Sequence, residues 1–89
     1  MKVESDKDFP ELRNQIQLWK KRFPMFIHDV KDIERNIEEH IKNYSIHLVY
    51  YRQSHKSSYL EKAQKELDAI NRIVTTVEKL ELMAMLSKA

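Results

Sequence analysis

The chain has 89 residues with no glycine, no cysteine and two prolines, and its 16 basic and 14 acidic residues leave a net charge of +2. Without glycine there is no P-loop, dinucleotide fingerprint or nucleophile elbow, and tight β-hairpin turns are disfavoured. Without cysteine there is no disulfide, thiolate metal site or cysteine nucleophile. The composition therefore predicts a single all-α domain over residues 1–89.

The first helix is expected over residues 9–22, after a polar and frayed tail at residues 1–7. Asp8 is a candidate N-cap, Pro10 suits the first turn, and Glu11 completes a capping box. One face of this helix is apolar, because the spacing between its large side chains is three or four residues. These side chains are Leu12, Ile16, Trp19 and Phe23.

A break or kink is expected at Phe23–Pro24, since proline lacks an amide N–H and disfavours helical geometry in the residue before it. A second helix is predicted over residues 25–53, where apolar residues recur every three or four positions and charged residues occupy the other face. Its apolar face consists of Phe26, Val30, Ile33, Ile37, Ile41, Tyr44, Leu48 and Tyr51.

A polar, serine-containing turn follows at residues 53–57, and Ser58 with Glu61 forms a second capping-box pattern. The third helix is predicted over residues 59–86, with Leu60, Ala63, Leu67, Ile70, Val74 and Val77 on one face. The two long helices should form an antiparallel hairpin because the turn between them is short. Helices joined by a proline break and a serine-rich turn have little need of glycine.

The end of the third helix is apolar on almost every side, as the run Leu82-Met83-Ala84-Met85-Leu86 shows. Such a helix must be buried on several sides, which two long helices and a short one do not provide. An oligomer interface is therefore expected here, and a frayed apolar terminus is the alternative.

The residues typical of catalysis and metal binding show no convergent pattern. The four histidines are His28, His40, His47 and His55, and no H-E-x-x-H motif is present. Closed metal sites need three or four convergent ligands, so solvated or interfacial histidines are expected. Most carboxylates have a lysine or arginine three or four positions away, which is typical of a solvent-exposed face. A non-enzyme without metal or cofactor is predicted.

Basic residues interleave with aromatic residues in two places, and such mixtures bind nucleotides by phosphate neutralisation and base stacking. The first cluster supplies the ligand-binding candidates Phe9, Arg13, Lys20, Lys21, Arg22 and Phe26. The second contains Tyr50, Tyr51, Arg52, His55, Lys56 and Tyr59. The alternative is that the rings pack in the core and the cations extend past them to solvent.

Arg72, Thr75 and Thr76 are further candidates, since they lie within one turn of the third helix. Copies of this group around a symmetry axis would form a ring of guanidinium and hydroxyl groups suited to phosphates. An ordinary polar stripe is the alternative.

The whole pattern resembles the small helical phage anti-CBASS proteins, which are cyclic-nucleotide sponges. The resemblance rests on length and helix order: a capped helix from Asp8-Phe9-Pro10-Glu11 to Arg22, a proline kink, and a hairpin ending in Leu82-Met83-Ala84-Met85-Leu86. Usage rich in lysine and isoleucine is also similar to that of phages with AT-rich genomes. No motif of the family is matched residue by residue.

The resemblance implies a homo-hexamer that sequesters cyclic di- and trinucleotides between protomers without cleaving them, and so suppresses host CBASS defence. A cytoplasmic location is expected because the N-terminus lacks an apolar signal core and the sequence has no long apolar run; for a phage-encoded chain this is the host cytoplasm. No membrane partner is expected. Two alternatives are a helical adaptor or inhibitor that docks on a host or viral protein, and a single-stranded nucleic-acid accessory factor.

Overall fold

A computed structural model describes residues 9–87, of which 95% are helical, with no strand among them. The helices are α1 (Pro10–Arg22), α2 (Ile27–Ser54) and α3 (Ser57–Ser87), and a 3₁₀ turn (Pro24–Phe26) separates α1 from α2. The predicted all-α fold is confirmed, and each predicted helix end lies within two residues of the observed one. None of the described helices has the length and apolar character needed to cross a bilayer.

The start of α1 differs from the predicted capping box. Asp8, the predicted cap, lies outside the described residues, as does the predicted tail at residues 1–7. Phe9 occupies the N-cap position with φ 48° and ψ 52°, and it forms no side-chain capping hydrogen bond. Its carbonyl oxygen accepts a hydrogen bond from the Arg13 amide at 3.0 Å. The N-cap therefore lies one residue later than predicted and the predicted capping box is wrong; the Phe9 ring at this end of the helix is instead packed in the core, 3% exposed.

The predicted break at Phe23–Pro24 is confirmed. Phe23 leaves the helical region, with φ −122° and ψ 59°, although its amide still donates to the Trp19 carbonyl at 2.9 Å. Pro24 then opens the 3₁₀ turn, which closes with a 2.9 Å hydrogen bond from the Phe26 amide to the Phe23 carbonyl. The missing proline N–H costs nothing here because the first amides of a helix have no partner within it.

The turn between α2 and α3 uses a left-handed residue, His55, with φ 56° and ψ 23°. Its amide donates to the Tyr51 carbonyl at 2.7 Å and closes the end of α2. Glycine is the usual residue at this position because it has no Cβ, so the expectation that glycine is not needed holds only at some conformational cost. Because α3 already begins at Ser57, Ser58 lies inside its first turn, and the prediction that Ser58 caps this helix is wrong.

The core lies between all three helices. Its most buried members are Trp19 of α1, Ile37 of α2, and Ile70 and Val74 of α3, all 0% exposed. α2 and α3 run antiparallel, as shown by a contact between His40 Nδ1 and Glu66 Oε2 at 2.6 Å and a ring contact between Tyr50 and Tyr59 at 5.5 Å. Burial of these faces is the largest favourable contribution to folding.

α1 covers only one half of the hairpin. Its first turn contacts the middle of α2, where the Phe9 ring packs edge-on against Tyr44 at 5.8 Å, and its last turn reaches Glu81 near the end of α3. Beyond Tyr44, the described part of the chain consists of two helices only. We call residues 45–65 the hairpin tip. The elongated chain measures 53 × 19 × 17 Å.

Candidate functional site

Exposed apolar side chains gather at the end of the molecule opposite the hairpin tip. They come from the 3₁₀ turn and the last two turns of α3, and each is more than half exposed. We call this group the apolar end surface: Met25, Phe26, Leu80, Leu82, Met83, Met85 and Leu86. The sequence predicted that the end of α3 lacks a polar face, and within a single chain the structure leaves it uncovered.

A depression of about 330 Å³ lies beside this surface, between the 3₁₀ turn and α3. Its lining is apolar apart from the Asp29 and Glu81 carboxylates, and it includes Phe23, Phe26, Val30, Ile33, Val77, Leu80 and Ala84. A second depression of about 350 Å³ shares Phe23, Glu81 and Ala84 with the first and adds Arg22 and Met85. The two depressions therefore adjoin each other, and we call them together the apolar groove; the charged residues of its lining are Arg22, Asp29 and Glu81.

Glu81 makes two polar contacts with α1 beside this groove. Its Oε1 accepts a hydrogen bond from the indole N–H of Trp19, and its Oε2 lies 2.9 Å from Arg22 Nη1. The Glu81 side chain is 13% exposed, whereas that of Arg22 is 59% exposed. The carboxylate thus satisfies a buried donor and partly neutralises the nearest cation, which lowers the capacity of Arg22 to bind an added anion.

The aromatic candidates of the first cluster separate into core and surface residues. Phe9 is 3% exposed and packs against Tyr44, so its ring offers no free face to a nucleobase. Trp19 is likewise fully buried. Phe26 is 57% exposed and lines the groove, which makes it the aromatic candidate of this cluster that a ligand can reach.

Most cations of the first cluster are paired within the chain. Arg13 forms an ion pair with Glu38, and Lys20 Nζ lies 2.9 Å from Glu34 Oε1. These contacts fasten α1 to α2, in addition to the Arg22–Glu81 pair with α3. Lys21 is exposed. The structure therefore does not gather these side chains into one cationic pocket.

Arg72, Thr75 and Thr76 are exposed on α3 and line neither depression. The Thr76 hydroxyl donates to the Arg72 carbonyl at 2.9 Å, as serine and threonine commonly do inside helices. Their proposed role needs several copies around an axis and stays a prediction.

The histidines and carboxylates of residues 9–87 include no group of three or more placed to hold a metal ion. His40 and Glu66 join α2 to α3, as described above. His47 Nδ1 is buried and has no hydrogen-bond partner within residues 9–87.

The second basic and aromatic cluster lies at the hairpin tip. Tyr50 of α2 and Tyr59 of α3 form a tilted ring pair, and Lys62 Nζ lies 5.4 Å from the Tyr59 ring centroid. A shallow apolar depression lined by Ser45, Ile46, Val49 and Tyr50 adjoins this pair. The sequence analysis missed Ile46 and Val49, although their spacing from Tyr50 places all three on a face that points away from the core stripe.

The chain matches no protein-family model, and no curated protein or solved structure is significantly similar to it. The resemblance to the phage anti-CBASS proteins therefore stays a prediction.

Proposed function

We propose that the protein is a non-catalytic binding protein that acts as a homo-oligomer, with copies joined through the apolar end surface. The observation that carries this proposal is the coexistence, at one end of the chain, of an apolar groove and a projecting apolar helix end. Contiguous apolar surfaces of this kind on small proteins commonly mark interaction sites.

The projecting part of the apolar end surface is the last described stretch of α3. Leu82 and Leu86 are one turn apart and point away from the chain's own core, with 57% and 67% of their surface exposed. The groove between the 3₁₀ turn and α3 has the apolar lining that such leucines require. An amphipathic helix laid in an apolar groove is a common mode of association between helical proteins.

A second copy suits this surface because groove and projection belong to the same end. In a two-fold arrangement the α3 end of each copy lies in the groove of the other, so both apolar elements are covered at once. The pairing closes and leaves no unpaired groove to propagate a filament. A hexamer, which the resemblance implies, would require a further interface between such pairs.

Sequestration of cyclic di- or trinucleotides is the second candidate, supported by one observation. Phe26 exposes its ring at the end of the molecule where Lys21 and Arg22 lie, so pairing through this end places rings and cations from two copies at one seam. Asp29 and Glu81 line the same groove and repel phosphates. Such a ligand must therefore draw Arg22 away from Glu81, and its capture would suppress CBASS signalling if the chain is phage-encoded.

Sedimentation velocity at micromolar concentration tests the proposed assembly. We expect the unaltered chain to sediment as an oligomer and Leu82→Asp to sediment as a monomer, because a carboxylate cannot be buried unpaired in the seam. The matched control is Leu60→Asp, which introduces the same charge at an exposed leucine of the hairpin tip and should leave the assembly intact. A monomeric unaltered chain would contradict the proposal and favour a different protein as the occupant.

Native mass spectrometry with a mixture of cyclic di- and trinucleotides separates the two candidates. Retention of an intact nucleotide by the oligomer, lost in a Lys21→Ala and Arg22→Ala double variant, would support sequestration. An oligomer that retains none of the nucleotides would exclude sequestration and leave the assembly proposal standing.

A further inference from the structure

The hairpin tip, residues 45–65, carries a basic and aromatic surface that the proposed assembly does not use. It lies at the opposite end of the 53 Å chain from the apolar end surface. Pairing through that end therefore leaves the tip accessible. The tip has an excess of positive charge, with Arg52, Lys56, Lys62 and Lys65 set against Glu61 alone.

These tip cations differ from those of α1 in their electrostatic partners. Within residues 9–87, none of the four forms an ion pair with a carboxylate, whereas Arg13, Lys20 and Arg22 all do. An unpaired surface cation is free to neutralise an external anion without first breaking an internal contact. The two basic clusters look alike in sequence, but within the described residues all four tip cations lack an ion pair, whereas among the four cations of α1 only Lys21 does.

Lys62 stands beside the aromatic groups of the tip, with its Nζ 5.4 Å from the Tyr59 ring centroid. The Tyr50 and Tyr59 rings meet at 5.5 Å with 40° between their planes, so they are tilted and not stacked face to face. Tyr50 is 47% exposed, and the neighbouring Ile46 and Val49 extend the apolar surface along α2. A planar, uncharged group can therefore pack against Tyr50, with Lys62 on the other ring of the pair.

We propose that the hairpin tip binds single-stranded nucleic acid, with Tyr50 stacking on a base and Arg52, Lys56 and Lys62 contacting phosphates. Unpaired bases present the ring faces that a tyrosine can stack on, whereas a duplex keeps them covered. A membrane surface fits less well because the turn that would meet it first, Ser54-His55-Lys56-Ser57-Ser58, is entirely polar.

The test uses the full chain and short fluorescent oligonucleotides of deoxythymidine and of uridine, with binding followed by anisotropy over a range of salt concentrations. We expect binding at low salt that weakens as salt rises, since about 0.7 counterions are released for each phosphate contacted in a single strand. The Arg52→Ala and Lys56→Ala double variant should therefore flatten the log–log salt dependence by about 1.4 and weaken binding at low salt.

Matched controls isolate the two parts of the site. Lys31→Ala with Lys79→Ala removes the same number of charges from exposed positions outside the tip and should leave the salt dependence unchanged. Tyr50→Phe keeps the ring and should retain affinity, whereas Tyr50→Leu should lose about fivefold or more because stacking is absent. Helical circular dichroism confirms that each variant remains folded.

The proposal is overturned by no binding at low salt, by equal losses in the tip and control charge variants, or by equal losses in the Phe and Leu variants. Binding to phosphatidylserine vesicles but not to oligonucleotides would also overturn it in favour of a membrane. The inference does not depend on the proposed assembly: Leu82→Asp should bind the short oligonucleotides as the unaltered chain does, even if it is monomeric.

Discussion

Trp19 and Glu81 lie 62 residues apart in the chain, and the indole N–H of Trp19 donates a hydrogen bond to the Glu81 carboxylate. This contact joins the last turn of α1 to α3 at the edge of the apolar groove. It gives the fully buried indole the polar partner that a tryptophan in a core requires. One carboxylate therefore joins α1 to α3 and also lines the groove.

Replacing Glu81 tests this arrangement. Glu81→Ala should lower the free energy of unfolding by about 1–3 kcal/mol, because the buried indole N–H loses its acceptor. The exposed Arg22 adds at most about 1 kcal/mol to the loss. Urea unfolding followed by the fluorescence of Trp19, the sole tryptophan, measures the change.

Glu81→Gln is the matched control for that experiment, since its amide oxygen can still accept the hydrogen bond. We expect the loss of unfolding free energy in Glu81→Gln to be less than half of the loss in Glu81→Ala. Equal and small losses in both variants would show that the contact contributes little. Both measurements belong at protein concentrations low enough to keep the chain monomeric, because Glu81 also lines the proposed seam.

Truncation of Phe9 should destabilise the chain far more than truncation of Phe26, although the sequence analysis proposed both as ligand candidates. Phe9→Ala should cost about 3–5 kcal/mol because it empties a packed site in the core. Phe26→Ala should cost within about 0.5 kcal/mol in the monomer, since its ring is more than half exposed. Thermal unfolding followed by circular dichroism distinguishes them.

The Phe26 variant also tests the proposed self-association, and the Phe9 variant tests the assignment of its ring to the core. Phe26→Ala should weaken self-association in sedimentation experiments, because the ring lines the groove that the second copy occupies. A Phe9 variant that stays as stable as the unaltered chain would contradict the assignment of its ring to the core. Unchanged self-association of the Phe26 variant would show that the Phe26 ring is not part of the seam.

His55→Gly should stabilise the chain by up to about 1 kcal/mol. Its left-handed backbone, with φ 56°, crowds a side chain that has a Cβ, and glycine removes that crowding. His55→Asn should give a smaller gain, because asparagine tolerates this conformation better than most residues. Chemical unfolding of the three proteins provides the measurement.

Lys42→Gly is the control for the effect of glycine on flexibility. Lys42 is exposed in the middle of α2, where glycine should cost about 0.5–1 kcal/mol. Opposite signs at positions 42 and 55 are expected. A loss of stability at both positions would show that the left-handed conformation of His55 carries no significant strain.

The helices were predictable because their apolar residues recur every three or four positions, and Pro24 marks the break by local chemistry alone. The residues at which the helices begin were less predictable. Ser57 and Ser58 adjoin one another and local sequence does not decide which one begins α3, and at α1 the burial of Phe9 replaced the predicted cap. Local patterns thus give the elements, whereas packing decides their ends.

The state of the candidate site could not be predicted in the same way. Lys20 and Lys21 are adjacent and chemically identical, yet only Lys20 faces Glu34, because that pairing depends on how α1 lies on α2. The Arg22–Glu81 pair spans 59 residues and has no local signal. The apolar character of Leu82–Leu86 was visible because it needs no tertiary information, but the groove beside it required three elements to be in place.

The partial cover that α1 gives the hairpin divides two continuous helices into regions of unequal local stability. Ile37 and Ile70 are fully buried in the core, and amides near them should exchange their hydrogens only when the whole chain unfolds. Amides of residues 48–62 should exchange faster, through opening of the two-helix segment alone. A single-stranded nucleic acid bound at Tyr50 would then slow hydrogen exchange in that segment first. The pattern of protected amides would therefore show at which end of the molecule a ligand is bound.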